Sequence, residues 1–216
     1  MAVITISRQY GSGGKAIARR VCEILDYAYF DKALMLQVAA EIGGVTEDQV
    51  VDFSEDTYMM RNFTERLFGS RRVRVETRDD SSKEMQVMSL DQEAGVELVR
   101  DTLMAAYDRG NVVIVGRGGQ AILREQPGVL HVRITAPRGA RVLRIKEREG
   151  LTMAEASDLA TRKDLAAAAY LSQFFDVDWE NPMLYHLILN TGRWDTDASA
   201  NIIVNALSQL RVVSQL

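Results

Sequence analysis

Short apolar runs alternate along the chain with longer stretches whose apolar residues recur every three or four positions. Residues 2–6, 27–30, 111–115, 129–134 and 185–189 are the short runs, and each reads as a strand. Residues 14–25 and 91–109 carry the helical period. Continuous apolar strands separated by helices predict a parallel sheet covered on both faces, an α/β architecture of three layers with five strands. Residues 32–69 read as helical, and residues 71–90 as two strand-like pieces around Asp79-Asp80-Ser81-Ser82, an exposed hairpin. None of the three prolines marks a linker. The chain is therefore expected to be a single domain, 1–216, with a helical and hairpin insert at about 32–92.

Composition narrows the function classes. At 216 residues the chain can bury a substantial core, and its formal charge of −4 argues against a global electrostatic grip on DNA or RNA. Arg71, Arg72, Arg74 and Arg78 form a basic cluster, but no aromatic residue interleaves it, so it reads as a solvated hairpin and no nucleic-acid partner is expected. Cys22 is the one cysteine and reads as a small core residue, which fits a reducing, cytoplasmic setting. The opening MAVITISRQYG lacks the basic and long apolar regions of a signal peptide, and no run suits a bilayer, so no membrane partner is expected. His131 and His186 fall in expected strands without cysteine or carboxylate neighbours at ligand spacing, so no zinc site is expected. Trp179, in FFDVDW, reads as a packing residue.

The chemistry begins at SRQYGSGGKAI, residues 7–17, between the first strand and the first helix. Glycine lets backbone N–H groups approach phosphate oxygens, the helix adds its positive end, and a lysine there can reach terminal phosphates. Gly11, Ser12, Gly13, Gly14 and Lys15 supply all three. The fit to the pattern G-x-x-x-x-G-K-[ST] is incomplete: Gln9 takes the place of the first glycine and Ala16 that of the Mg²⁺-binding hydroxyl. Metal ligation by the loop would fall to Ser12 or Ser7. A ligand-free turn is the alternative reading. Arg117, flanked by Gly116 and Gly118, ends the third strand, and ligands of open α/β sheets bind at that edge. Arg138, Arg141, Arg144 and Arg148 form a stripe along one helix face, facing either a ligand or solvent with Glu147 and Glu149 as ion partners.

ITISRQYGSGGKAIA, YFDKALM, VVIVGRGGQAIL, DVDWENP and LILNTGRW occur in this order across nearly the whole chain. Together they resemble the cytidylate kinase-like family of P-loop proteins. The resemblance implies a nucleoside-monophosphate-kinase-like fold, small-molecule nucleotides as partners, ATP and Mg²⁺ as cofactors, and transfer of the ATP γ-phosphoryl group to CMP, dCMP or a related nucleotide. It implies a lid at about residues 150–180. By the same resemblance Lys15, Arg117 and Arg162 would be catalytic, and Arg144 and Arg148 would cover the donor. Asp31, Arg61 and Arg117 would bind the acceptor, with Asp31 also suited to cap a following helix. Asn190-Thr191-Gly192 would lie near the donor base, or form a simple turn. The sequence departs from the family pattern at Ala16, Val115, Gly118 and Leu165, which keeps open a nucleotide-binding protein without turnover, or a kinase of another small phosphate acceptor. A homo-oligomer is also left open.

Overall fold

The computed structural model describes residues 2–31 and 92–210. The expected helical and hairpin insert, including Arg61 and the arginines at 71–78, lies outside the described residues.

Five strands form one parallel sheet: β1 (Val3–Arg8), β2 (Ala28–Phe30), β3 (Val112–Val115), β4 (Val129–Thr135) and β5 (Leu187–Asn190), in the order β2-β3-β1-β4-β5. Each lies within about two residues of its sequence expectation. β1 is central, with Ile4 beside Val113 on one side and Leu130 on the other. Among the described residues six α-helices accompany the sheet: α1 (Gly14–Leu25), α2 (Gln92–Arg109), α3 (Gly119–Ile122), α4 (Arg138–Glu149), α5 (Met153–Phe175) and α6 (Thr196–Ser208).

Alternation along the strands builds two cores. Ile4, Ile6, Val113, Val132 and Ile134 face Ile17 and Val21 of α1 and Ile203 of α6. Val3, Val112, Ile114 and Val129 face Val99 and Leu103 of α2 and Ile122 and Leu123 around α3. Cys22 is half-buried against the first core, and burial pushes its thiol up to about 11, which leaves it unreactive at neutral pH.

The second face turns polar toward the C-terminal ends of β1 and β4. Thr5 pairs in register with His131, and Ser7 with Arg133. All four are buried. The Thr5 hydroxyl lies 2.7 Å from His131 Nδ1, and Trp179 Nε1–H donates to Ser7 Oγ at 2.8 Å. The Arg133 guanidinium lies 4.6 Å from the Trp179 ring centroid and 5.4 Å from that of Tyr185, and it donates to the Trp179 carbonyl and to Glu180. A desolvated guanidinium between two rings, donating to two oxygens of the same segment, anchors residues 179–185 to the sheet. Trp179 is thus the packing residue that its surroundings in the sequence suggested.

Burial, and then the neighbouring His186, lower the pKa of His131 from 6.5 to about 4. The folded chain keeps this ring neutral while the unfolded chain protonates it below about 6.5. Stability is therefore fully present above that pH and falls as pH drops toward 4, by on the order of 3 kcal/mol. Urea unfolding across this range should show the loss, and His131→Asn should flatten that acid limb. An unchanged limb in the variant would assign the loss to other groups.

Candidate active site: a basic cleft over an uncapped helix

α1 begins without a side-chain cap. Its N-cap is Gly13, at φ +85°, and its first turn holds no acid. The first helical hydrogen bond runs from Ile17 N–H to the Gly13 carbonyl at 3.1 Å. The amides of Gly14, Lys15 and Ala16 consequently have no partner within the helix and point toward the loop. By contrast, α5 carries a capping box of Thr152 and Glu155, and Asp195 caps α6 through Ala198 N–H. Open amides with a positive helix end are what an anion requires.

The loop is held in shape from three directions. Thr191 Oγ1–H donates to the Ser12 carbonyl at 2.7 Å. Arg144 donates to Thr191 O at 3.0 Å and to Gly11 O at 3.4 Å. Tyr10 N–H donates to Asp164 Oδ1 at 2.8 Å, while Arg141 bridges Asp164 and the Tyr10 carbonyl. Gly11 admits no side chain: at φ +80° its Cβ would lie 2.8 Å from both the Arg141 carbonyl and Ile145 Cδ1.

Above the loop opens a cleft of about 600 Å³. Arg8, Lys15, Arg19, Arg148 and Lys163 line it with Glu149 and Asp164, so five cations face two carboxylates, one of which is paired with Arg141. The Arg148 guanidinium lies 5.0 Å from the Tyr10 ring centroid, and its hydrogen bond to Glu149 holds that carboxylate below its ordinary pKa. The Tyr10 hydroxyl is shifted upward, chiefly by burial. Such a cleft concentrates a polyanion over the open amides.

The structure brings together Gly11, Gly13, Gly14, Lys15 and Arg148 of the expected residues. Ser12 is fully buried in the loop, and its Oγ has no hydrogen-bond partner. Arg144 does not line the cleft; its Nη1 donates to Gly11 O and Thr191 Oγ1, and its Nη2 to Thr191 O. Arg138, in the same stripe, donates to Ser157 and Thr161 and ties α4 to α5. Residues 153–175, expected to belong to a lid, form one continuous helix. Its rotation turns Arg162 away, toward a separate hollow with Glu155 and Asp158, and presents Lys163 to the loop instead. Leu165 is exposed and lines neither space.

Arg117 lies two residues past the C-terminal end of β3, is buried, and lies outside the loop cleft. Gly116, Arg117 and Gly118 have φ of +78°, +62° and +72°. A left-handed arginine costs about 1 kcal/mol or more, a strain that recurs at functional sites. Gly118 is required by packing: a Cβ there would come within 2.8 Å of the Phe175 ring. Val115 is buried in the α1-side core, where an acid would have no solvent. Asp31 follows β2 and, by its charge, contributes to the raised pKa of Tyr29, whose main cause is burial. The helix expected to follow it lies outside the described residues.

The start of α1 does not supply the hydroxyl that would hold Mg²⁺, which leaves the buried Ser12 Oγ, without a hydrogen-bond partner, as the loop oxygen still open to that role. The first turn of α1 reads Gly14, Lys15, Ala16, Ile17, without a hydroxyl, and Ser7 is committed to Trp179. Among the described residues no group of three His, Cys, Asp or Glu is placed to hold a metal ion. No helix among them is long and apolar enough to cross a membrane.

Sequence reasoning missed Arg8 and Arg19, and it missed the role of Asp164. Arg8 stood in the loop motif itself. Its signal was its position at the last residue of β1, where a side chain reaches the ligand edge of the sheet.

A five-stranded parallel sheet with its central strand feeding a glycine loop and an uncapped helix defines a P-loop kinase-like protein. The chain belongs to the cytidylate kinase-like family, whose model matches residues 3–193. A cytidylate kinase of Haloarcula marismortui is 23% identical over 95% of this chain and 88% of its own length. That of Pyrococcus furiosus is 23% identical over 96% and 89%. Among solved structures, an uncharacterized protein from Eubacterium ventriosum superposes with a TM-score of 0.67 at 20% identity, covering 97% of this chain and 99% of the other. Shikimate kinase from Acinetobacter baumannii, in complex with shikimate, gives 0.52 at 11% identity over 97% and 94%, a likeness of fold alone.

Proposed function

We propose that the protein is a nucleoside monophosphate kinase that transfers the γ-phosphoryl group of ATP to CMP, dCMP or a related nucleotide. The observation that carries this reading is the five-cation cleft over the open amides of Gly14, Lys15 and Ala16. Family membership and the cytidylate kinase relatives favour a pyrimidine monophosphate as acceptor.

In this reading the loop amides and Lys15 hold the donor phosphates, and Arg148 and Lys163 cover them. Arg117 and Asp31, at the C-terminal ends of β3 and β2, receive the acceptor together with the segment that carries Arg61. A phosphate oxygen of the acceptor forms the new bond to the γ-phosphorus as the bond to the β–γ bridging oxygen breaks. ADP leaves with that electron pair. The acceptor is already anionic, so the step requires no general base; it requires alignment and charge neutralisation. Mg²⁺ enters this account only as MgATP, the form that the family suggests.

Ala16 and Val115 favour a second reading, a nucleotide-binding protein without turnover. ADP formation from MgATP with CMP, dCMP, UMP and AMP in parallel separates the two. Turnover that prefers CMP or dCMP is expected. Turnover only with a different phosphate acceptor would move the protein to another substrate class, and nucleotide binding with no turnover would establish the second reading.

A further inference from the structure

The first residue of α1 is Gly14, and a side chain at the first position of a helix leans back over the N-terminus. In this protein that space is filled by another residue. A Cβ on Gly14 would lie 2.7 Å from Arg8 Cβ and 3.1 Å from its Cγ. The same arginine continues to the end of β3, where a Cβ on Gly116 would lie 3.1 Å from Arg8 Cζ. Both glycines are thus conditions for where Arg8 lies. Its stem runs over the start of α1, and its guanidinium stands between the phosphate loop and the edge of β3. It lines the cleft, and it contributes electrostatically at Tyr29 of β2, next to Asp31. Lys15, by contrast, is an exposed residue of the cleft whose charge is felt at Glu149, on the α4 side.

We infer that Arg8 is the catalytic cation of this site, contacting the transferred phosphoryl group from the position above the helix start that Gly14 leaves vacant, while Lys15 serves the donor phosphates nearer α4. The inference rests on the kinase reading. A guanidinium presents a planar fork of donors, which suits a phosphoryl group with charge spread over three oxygens better than a point charge does. From between the loop and the β2–β3 edge it can touch the phosphoryl group as that group passes from donor to acceptor.

The test uses the full chain with Arg8→Met, Arg8→Lys and Gly116→Ala, each checked for fold by circular dichroism. Arg8→Met should lower kcat by about 10³-fold. ADP affinity, which involves no γ-phosphoryl group, should change less than about threefold, since Arg8 is assigned to that group alone. Arg8→Lys should recover part of the loss, and Gly116→Ala should reproduce part of it by displacing the guanidinium. Retention of kcat by Arg8→Met, or an equal loss of ADP and ATP affinity, would overturn the inference. If the wild type turns over no acceptor, the kinase reading fails separately, and Arg8 is judged by binding. The wild type should then prefer a non-hydrolysable ATP analogue over ADP, and Arg8→Met should abolish that preference. Its persistence, or its absence from the wild type, would remove Arg8 from the γ-phosphoryl group.

Discussion

Lys15→Ala is expected to lower kcat/KM for ATP by on the order of 10²–10³-fold while leaving the fold intact. Lys15 is the second residue of α1 and an exposed side chain of the cleft, so its removal opens no cavity and breaks no core contact. The loss should fall largely on ATP, because the ammonium group is assigned to the donor phosphates. Initial rates at varied MgATP and fixed CMP measure it, with unfolding curves as the control. A variant with wild-type kinetics would remove Lys15 from the nucleotide site.

Asp164→Ala should produce a large stability loss, of about 3 kcal/mol. The carboxylate is the ion partner of Arg141, whose side chain is 7% exposed. It also accepts the Tyr10 N–H across 154 residues of chain. Removing it leaves a buried guanidinium without its counter-charge, whose Nε already lacks a partner, and an unsatisfied loop amide. Asp164→Asn should fall between, because its amide oxygen can still accept from Tyr10 while the charge is lost. Urea midpoints at constant m-value measure both. A shift equivalent to less than about 1 kcal/mol for the alanine variant would mean that the pair behaves as an exposed one.

The strands and the glycine loop were legible because their signals are local. Residues 111–115 and 129–134 are short runs rich in apolar β-formers, and glycines beside a lysine after a strand mark a tight strand-to-helix turn. Helix phase in α5 was harder. Ala156, Ala160 and Ala166 are buried along α5, and that face decides whether Arg162 or Lys163 meets the loop. At about 100° per residue, a shift of one position moves a side chain to another face. The sequence spacing contained that answer only once the docked face was known. The same stretch runs as one helix because its capping box starts it at Thr152 and no glycine or proline interrupts residues 153–175. The union of Asp164, Arg141 and Tyr10, and the passage of Arg8 across Gly14 to Gly116, depend on distant segments meeting. No periodicity or motif reports such contacts. Arg144 shows the converse: its place in a basic stripe left ligand and solvent both open, and in the structure its Nη1 and Nη2 donate to Gly11 and Thr191.

The central claim is that this cleft moves a phosphoryl group between nucleotides. Its most direct test is a single-turnover experiment with enzyme in excess over [γ-³²P]ATP, in the presence of CMP, with Lys15→Ala alongside. Label appearing in CDP with the wild type, and strongly slowed in the variant, is the predicted result. Label that remains in ATP while the folded protein binds the nucleotide would contradict it.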